Sequence, residues 1–551
     1  MKVVIPSAKV VPEELQNLGK LPAIIYPVGQ GIVLDYLLEQ YEEDTKSIRI
    51  ICCEMADEVE QRLSAYRSAK ISLNRLTRLG DLGDTIYAGL EDSHTPVIIN
   101  FADTIVMDAF PEGAEDAFFY SEDHPSDLWT YFDCEDGVIV SIRDKQTGLD
   151  KKSIQKLFVG VFRLSDEADF RKCLKGSLQS ERSGMSSFYR ALMLYSRLHP
   201  MKTVYARNWF DIGHVDKYYD SALEVKAREF NHITIDKDRG ILRKCSDDKE
   251  KFVGEILWYL KLPADIEYVR PRIFSYSLSY ENLYVAMEYY AYHTVHEMFV
   301  YGDLTYHQWM DIFRRIRFIY NDFKRYTVQD GHIQAALREV YLDKTLKRLE
   351  TLKCQENFAA FFNRSIQVNG RSYLSLNRIL KLLEEEIPKR LYDVDAFHII
   401  HGDLCFSNIM VDSNLSFIKV IDPRGKFGAY DIYGDQRYEL AKLFHSVDGK
   451  YDFIIKDLFR IETDRENAVI DFQILDRNRE YKLYELFVDV FSEEIGNDRE
   501  KIELIEALLF LSMIPLHGES ADHQYAMLAT GLEILDRVLK ICEKTGGKEN
   551  V

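Results

Sequence analysis

Apolar and polar positions follow two alternating periods along residues 1–225. KVVIPSA, SIRIICCEM and TPVIINFAD are apolar runs of strand length, and PAIIYPV has the same composition between prolines. GIVLDYLLEQY instead places Ile32, Leu37 and Tyr41 at helical spacing. This alternation predicts an α/β domain with a mainly parallel sheet, whose ligands bind at the carboxyl ends of the strands.

The pattern changes near residue 225. HITIDKDRGILRKCS, at 232–246, contains two strand-like runs around an Asp-Arg-Gly turn, which indicates a hairpin. After about residue 300, helical patterns such as WMDIFRRIRFIYNDFKRY and SLNRILKLLEEEIPKRL predominate. We therefore expect a second, α+β domain with a small β-rich lobe and a helical lobe. The predicted bounds are 1–227 for the first domain and 228–551 for the second, with lobes of about 228–295 and about 296–551.

Charge and cysteine content narrow the class of protein. The net charge of −20, from 70 basic and 90 acidic residues, argues against a nucleic-acid-binding surface, which needs clustered basic residues. The eight cysteines show no metal-ligand spacing, so we expect reduced thiols. The N-terminus lacks the apolar run of a secretory signal, and EALLFLSMIPL at 506–516 is too short to cross a bilayer. We expect a cytoplasmic protein without membrane insertion, of undetermined oligomeric state.

Three oxygen-bearing side chains follow strand-like runs in HIIHGDLCFSNIMVD, at 398–412, and IKVIDPRGKFGAYD, at 418–431. Asp403 comes after one apolar run, Asn408 lies five residues later, and Asp422 ends the next run. Each alone is more often a turn residue or a helix cap. Together they match the needs of phosphoryl transfer, which are a carboxylate beside the attacking hydroxyl and oxygen ligands for Mg²⁺.

HGDLCFSN and VIDPRG resemble the H-[GN]-D-x₄-N and I-D motifs of the aminoglycoside phosphotransferase and choline kinase superfamily, relatives of the protein kinases. The resemblance implies ATP as phosphoryl donor. It also implies that Asp403 is the catalytic base and that Asn408 and Asp422 are Mg²⁺ ligands. His401 would then structure the loop.

The same resemblance implies ATP-binding residues in the small lobe. Lys244, in ILRKCS, would contact the ATP phosphates and pair with Glu255 of the predicted helix EKFVGEILWYLKLP. Arg243 is the alternative to Lys244. LYVAMEYYAYHTV would lead into the hinge between the lobes at Glu288. No G-x-G-x-x-G precedes Lys244, so the turn containing Gly240 would have to cover the phosphates.

Three segments of the first domain resemble sugar-1-phosphate nucleotidyltransferases. KLPAIIYPVGQGIV is similar to the K-P-x-x-P-V-x-G-x-P segment of that group, and the resemblance implies a phosphate-binding role for Lys20. IINFADTIV and NWFDIGHVDKYYDSA are similar to the two segments that supply metal-binding carboxylates, here Asp103 and Asp211. The glycine-rich nucleotide loop of the group is replaced by IPSAKVVPEELQNLGK, in which Lys9 is the alternative source of positive charge.

These resemblances together imply a bifunctional transferase. The second domain would phosphorylate a sugar, polyol or amino alcohol from ATP, and the first would couple that phosphate to a nucleotide from CTP, UTP, GTP or dTTP. Such products resemble precursors of bacterial capsules and surface glycans. The alternatives are a kinase whose first domain is an inactive binding or regulatory module, and a scaffold of two inactive domains. The acceptor stays open, and the 13% aromatic content would permit a cage for a quaternary ammonium group.

Overall fold

The computed structural model describes residues 1–29, 31–41, 45–64, 66, 68–113, 115–146, 153–180, 185–214, 217–218, 233–476 and 481–542. The chain divides into two units, residues 1–231 and 232–551. The boundary predicted at 227/228 lies outside the described residues. No helix in the described ranges is both long enough and apolar enough to cross a membrane.

The first unit is built on one large mixed sheet. The strands of the unit are β1 (Lys2–Ser7), β2 (Pro27–Val28), β3 (Gly31–Ile32), β4 (Ser47–Cys52), β5 (Ile71–Arg75), β6 (Val97–Asn100), β7 (Thr104–Val106), β8 (Ala117–Asp123), β9 (Thr130–Glu135), β10 (Val138–Asp144), β11 (Gln155–Leu164), β12 (Lys202–Tyr205) and β13 (Trp209–Asp211). Among them, β2 pairs with β3 and β7 with β13 outside the large sheet. Its described helices are α1 (Val33–Tyr41), α2 (Ala56–Leu63), α3 (Leu82–Gly89), α4 (Glu167–Gln179) and α5 (Ser187–Leu198), besides 3₁₀ turns at Glu13–Leu18 and Ala23–Ile25.

The sheet contains the parallel part that the strand–helix alternation predicts. Its order is β10-β9-β11-β6-β1-β4-β5, in which β1 is parallel to β4 and β6, and β4 is parallel to β5. β11 pairs antiparallel with β6 and continues the sheet towards β9 and β8. The core between sheet and helices is rich in aromatic rings, among them Phe118, Phe158, Phe162 and Phe188.

The prediction of a strand at PAIIYPV was wrong. The segment forms the turn Ala23–Ile25 and then the two-residue strand β2. Proline has no N–H to donate to a strand ladder, and Pro22 and Pro27 bracket the apolar residues. The side chains of Ile24 and Ile25 are nevertheless buried, so the run contributes to the core without forming a longer strand.

The second unit begins with a four-stranded antiparallel sheet of order β14-β15-β17-β16. The strands of the unit are β14 (Ile233–Asp236), β15 (Ile241–Lys244), β16 (Ile273–Ser277), β17 (Tyr284–Glu288), β18 (His293–Thr294), β19 (Thr327–Val328), β20 (Ile366–Val368), β21 (Arg371–Tyr373), β22 (Phe397–Ile399), β23 (Ile409–Val411), β24 (Ile418–Val420), β25 (Tyr433–Gly434), β26 (Phe459–Asp464) and β27 (Val469–Ile474). The hairpin β14–β15 is present where the sequence predicts it.

Helices dominate the unit after residue 295. Its helices are α6 (Lys249–Lys261), α7 (Val295–Val300), α8 (Tyr306–Lys324), α9 (Ile333–Leu337), α10 (Lys344–Leu352), α11 (Ala359–Asn363), α12 (Leu376–Leu391), α13 (Gln436–Val447), α14 (Tyr451–Ile454), α15 (Leu483–Val490), α16 (Ser492–Ile495), α17 (Arg499–Met513) and α18 (Ala521–Leu539). A π-helical stretch, Arg338–Asp343, joins α9 to α10, and 3₁₀ turns lie at Ala264–Val269, Glu356–Phe358, Phe406–Asn408 and Ile514–His517. Short β22, β23 and β24 carry the loops of the candidate site.

Candidate active sites

Lys244 is the last residue of β15, and its ammonium group joins two carboxylates. Its Nζ lies 2.9 Å from Glu255 Oε1, on α6, and 2.7 Å from Asp422 Oδ1, after β24. Burial opposes the charge of the lysine, but Asp422 and Glu255 outweigh it and raise the pKa of Lys244. Burial and the charge of Asp422 raise the pKa of Glu255 to about 7. The strand lysine, the helix glutamate and the loop aspartate thus meet at one point.

Asp403 lies in the loop that follows β22. Gly402 takes a left-handed conformation (φ 77°), and a Cβ there would lie 3.0 Å from Arg424 Cβ, so the turn is closely packed. Asp403 Oδ1 is 2.8 Å from Lys442 Nζ, on α13. Burial disfavours the carboxylate, but Lys442 outweighs this effect and lowers the pKa of Asp403 to about 2. The carboxylate is therefore ionised at neutral pH and can accept a proton or a hydrogen bond.

Glu439 holds the same loop through its backbone. Its carboxylate accepts hydrogen bonds from the main-chain N–H groups of His401 (2.7 Å) and Gly402 (2.9 Å). His401 is fully buried and packs edge-on against Trp258, and burial lowers its pKa to about 4. The neutral imidazole is consistent with the expected structural role of His401.

Asn408 and Asp422 lie at the two ends of the hairpin β23–β24. Asn408 Nδ2 donates to the main-chain oxygen of Asp403 (2.9 Å), which leaves its carbonyl oxygen as the atom suited to a cation. Asp422 has a left-handed φ of 57°, and its main-chain N–H donates to the hydroxyl oxygen of Tyr259 (3.0 Å). A carbonyl oxygen and a half-exposed carboxylate are the donors that Mg²⁺ prefers, so these residues fit that ion.

Glu288 ends β17, and its side chain is engaged locally. Tyr290 Oη donates to Glu288 Oε2 at 2.7 Å. The negative charge of Glu288 also favours the charged form of Lys419. The next residue, Tyr289, donates its N–H to the main-chain oxygen of Gly240, in the turn of the hairpin β14–β15 (2.8 Å). The segment after β17 is thus tied to that turn, which is where the resemblance requires the hinge to begin.

The first unit brings Asp103 and Asp211 together through β7 and β13. These strands pair antiparallel, with Asp211 opposite Thr104, and the N–H of Ile212 donates to the main-chain oxygen of Asp103 (2.8 Å). Burial and the charge of Asp211 raise the pKa of Asp103. The buried Asp211 and the partly buried Asp103 repel each other when both are ionised, and a divalent cation bound between them would relieve that repulsion.

A cavity of about 800 Å³ adjoins this pair, lined in part by Ser7, Lys9, Asp103, Lys145 and His214. Lys20 is exposed and is absent from the residues that line it, whereas Lys9 is among them. Of the two candidate lysines, Lys9 is therefore the one placed to meet a phosphate there.

Sequence reasoning missed His214, Glu439 and Lys442. His214 Nδ1 lies 2.8 Å from Asp211 Oδ2; burial lowers its pKa, but Asp211 and Asp103 outweigh it and raise the pKa. The available signal was that His214 stands where the nucleotidyltransferase segment W-x-D-I-G-T-P has threonine. For Glu439 and Lys442 the signal was two charged residues three positions apart in YELAKLF, at 438–444, a stretch that is otherwise tyrosine and apolar residues.

No family model matches the chain, and no curated protein matches it. Among solved structures, a nucleoside-diphosphate-sugar pyrophosphorylase from Vibrio cholerae RC9 is 12% identical over 40% of this chain and 99% of that chain, with a TM-score of 0.33. A CTP:phosphocholine cytidylyltransferase from Streptococcus pneumoniae is 13% identical over 41% and 99%, with a TM-score of 0.34. An inositol-1-phosphate CTP transferase from T. maritima is 15% identical over 41% and 95%, with a TM-score of 0.31. These similarities cover about the N-terminal 40% of the chain.

Proposed function

We propose that residues 232–551 transfer the γ-phosphoryl group of ATP to a hydroxyl group of a small molecule. The observation that carries this proposal is the contact of Lys244 with both Glu255 and Asp422. Through Asp422, this contact holds the ammonium group of Lys244 next to the loops of Asp403 and Asn408. Phosphoryl transfer requires such a cation against the phosphates. A purely structural hairpin has no need of an ionised aspartate paired with a buried lysine, Asp403 with Lys442, or of an aspartate at positive φ, Asp422.

Each residue has a separate role in the proposed reaction. Asp403, ionised at neutral pH, orients the acceptor hydroxyl and takes its proton as the oxygen bonds to the γ-phosphorus. The bond from the γ-phosphorus to the bridging oxygen breaks, and ADP leaves. Lys244 contacts the ATP phosphates, and Glu255 orients its ammonium group. Asn408 and Asp422 would hold Mg²⁺, which supplies positive charge against the phosphates.

For the first unit we propose transfer of a nucleotidyl group to the phosphorylated product, with release of pyrophosphate. The paired carboxylates of Asp103 and Asp211 beside the cavity support this step, because a metal site there would neutralise the reacting phosphates. The product would belong to the precursors of bacterial capsules and surface glycans.

A second candidate function is a kinase whose first unit only binds a ligand. The observation that favours it is the segment Pro6–Pro12, which lines the cavity without a single glycine. Close approach of a backbone to phosphates is hindered when every residue carries a Cβ. The two candidates differ in whether a nucleotidyl conjugate forms.

The deciding experiment is mass spectrometry of the protein incubated with Mg²⁺, the nucleoside triphosphates and a panel of hydroxyl compounds. We expect a phosphorylated acceptor with the wild type and with Asp103→Asn, and none with Asp403→Asn. A nucleotidyl conjugate that is lost in Asp103→Asn supports the bifunctional enzyme, whereas a phosphorylated acceptor alone supports the kinase with an inactive first unit. Equal phosphorylation by the wild type and Asp403→Asn would overturn the kinase proposal.

A further inference from the structure

Four basic side chains lie on segments that pack around the loop of Asp403; we call Lys344, Arg348, Arg424 and Lys442 the cation cluster. Lys344 and Arg348 are four residues apart on α10, and therefore share one face of that helix. Arg424 lies two residues after Asp422 and packs on Gly402, and Lys442 contacts Asp403. Three separate segments of the chain thus bring positive charge to one carboxylate.

The cluster has almost no negative partner of its own. Arg424 Nη1 donates to Tyr438 Oη (3.1 Å) and Arg348 Nη1 to the main-chain oxygen of Ser512 (3.3 Å), both neutral acceptors. Among the described residues, no carboxylate forms an ion pair with Lys344, Arg348 or Arg424. Asp403, whose negative charge favours the charged form of Lys344, already pairs with Lys442.

This charge excess is energetically unfavourable in the ligand-free protein. Burial and the positive charges of Arg424, Arg348 and Lys442 lower the pKa of Lys344 to about 6. Burial and Arg424 likewise lower the pKa of Arg348. Partly buried cations without partners are costly, and such perturbed groups concentrate at binding sites. The π-helical turn just before Lys344 is a second feature that is common at functional sites.

We propose that the acceptor hydroxyl compound carries an anionic group, a carboxylate or a phosphate, which binds Lys344, Arg348 and Arg424 while its hydroxyl faces Asp403. The inference rests on the proposed kinase and narrows its substrate class. It disfavours a quaternary ammonium acceptor, since the charges of Arg348, Arg424 and Lys442 exceed that of the one paired carboxylate and repel a cation. The chain as a whole has a charge of −20, so this local excess of positive charge is specific to the site.

The anion site is tested first without turnover, with inorganic sulfate as the probe. Sulfate is titrated into the full-length wild type, Arg348→Met, Lys344→Met and Lys347→Met in the presence of Mg²⁺, each with and without saturating AMP-PNP. Lys347 is the matched control, because it is exposed on the same helix between the two cluster residues. We expect equal sulfate affinity for the wild type and Lys347→Met. Both cluster variants should bind sulfate at least about tenfold more weakly, as expected for loss of one charge-assisted contact.

Two results of that titration would overturn the inference. Sulfate affinity that is equal in all four proteins would show that the cluster does not bind anions. Sulfate binding that AMP-PNP abolishes would assign the cluster to the ATP phosphates instead of the acceptor. Thermal unfolding of each variant, with a single cooperative transition, establishes that it is folded.

The substrate class is tested by phosphoryl transfer to glycerate, glycerol 3-phosphate, glycerol and choline. Preferential phosphorylation of glycerate or glycerol 3-phosphate, reduced in Arg348→Met, supports the inference and tells carboxylate from phosphate. Preferential phosphorylation of choline or glycerol, unchanged in Arg348→Met, overturns the inference and leaves the kinase intact. If sulfate binds the cluster but AMP-PNP does not bind the protein, the proposed kinase function is overturned, whereas the anion site remains.

Discussion

Lys442 Nζ lies 2.8 Å from Asp403 Oδ1, so the candidate base of the second unit is held ionised by a buried lysine of α13. Burial alone would raise the pKa of Asp403, and the attraction of Lys442 reverses this to about 2. Asp403 consequently needs no deprotonation step between pH 4 and pH 8. Lys442 acts through Asp403 and is a positioning residue.

Lys442→Met removes this attraction and should raise the pKa of Asp403 by about 1–3 units. A carboxylate whose pKa is lower in the folded protein than in the unfolded chain stabilises the fold at pH values above the unfolded pKa. The wild type therefore loses this stabilisation as the pH falls from about 4 to about 2. In the variant, the acid limb of kcat/KM moves to higher pH by the same shift. A pH profile of kcat/KM from about pH 2.5 to pH 8 checks this, and profiles that coincide after scaling would contradict it.

Glu439→Ala should destabilise the protein by about 1–3 kcal/mol for each of the two main-chain N–H groups, of His401 and Gly402, that lose their acceptor. Glu439→Gln retains one carbonyl oxygen and should cost less. Glu384→Ala, at an exposed position of α12, is the control and should change the unfolding free energy by less than about 0.5 kcal/mol. Denaturant titration measures all three; a Glu439→Ala variant as stable as the control would refute the bracing role.

Gly425→Ala tests the packing that joins α6 to the Asp422 loop. Gly425 has a φ of 63°, and a Cβ there would overlap the carbonyl oxygen of Gly254, next to Glu255. Gly370→Ala is the matched control, because Gly370 has a φ of 78° with open space around its Cβ position. We expect about 1 kcal/mol of destabilisation for the control, from positive φ alone, and at least twice that for Gly425→Ala. Equal losses of unfolding free energy would show that the contact is not tight.

Lys344→Met should stabilise the ligand-free protein at pH 7. The folded pKa of Lys344 is about 6, below the value of an unfolded lysine, so the unfolded chain binds more protons between those values and stability rises with pH. Arg424, Arg348, Lys442 and Asp403 are the charged groups that face it. The gain from Lys344→Met is therefore complete at and below about pH 6 and shrinks towards pH 10. Thermal unfolding against pH measures it; a gain that is independent of pH, or matched by Lys347→Met, would exclude a charge effect.

Sequence reasoning placed Asp403 and Asp422 at the ends of short apolar strands, and in the structure they follow β22 and β24. A strand end aims its next side chain from a rigid base. Asn408 instead ends a 3₁₀ turn just before β23. Lys244, Asp103 and Asp211 were predicted from resemblances to family motifs, and they lie at the end of β15, just before β7 and at the end of β13. Local pattern is sufficient for such residues because their positions depend on one element at a time.

The residues that sequence reasoning missed depend on contacts between distant elements. α13 has the pattern of a core helix, and only its packing against the loop after β22 reveals that Glu439 and Lys442 serve that loop. Lys344 and Arg348 lie more than fifty residues before Asp403 on an amphipathic helix, where lysine and arginine normally face solvent. Neither periodicity nor motif spacing contains that tertiary information.

The most direct test of the central claim is binding of Mg²⁺·AMP-PNP to the second unit's site in the full-length protein, measured by calorimetric titration. Asp422→Asn and Lys244→Met each remove a group that the account assigns to Mg²⁺ or the phosphates, and each should weaken binding about tenfold or more. Asp471→Asn, an exposed residue of β27, is the control and should bind as the wild type does. Wild-type affinity in both site variants, or no binding by the wild type, would contradict the account.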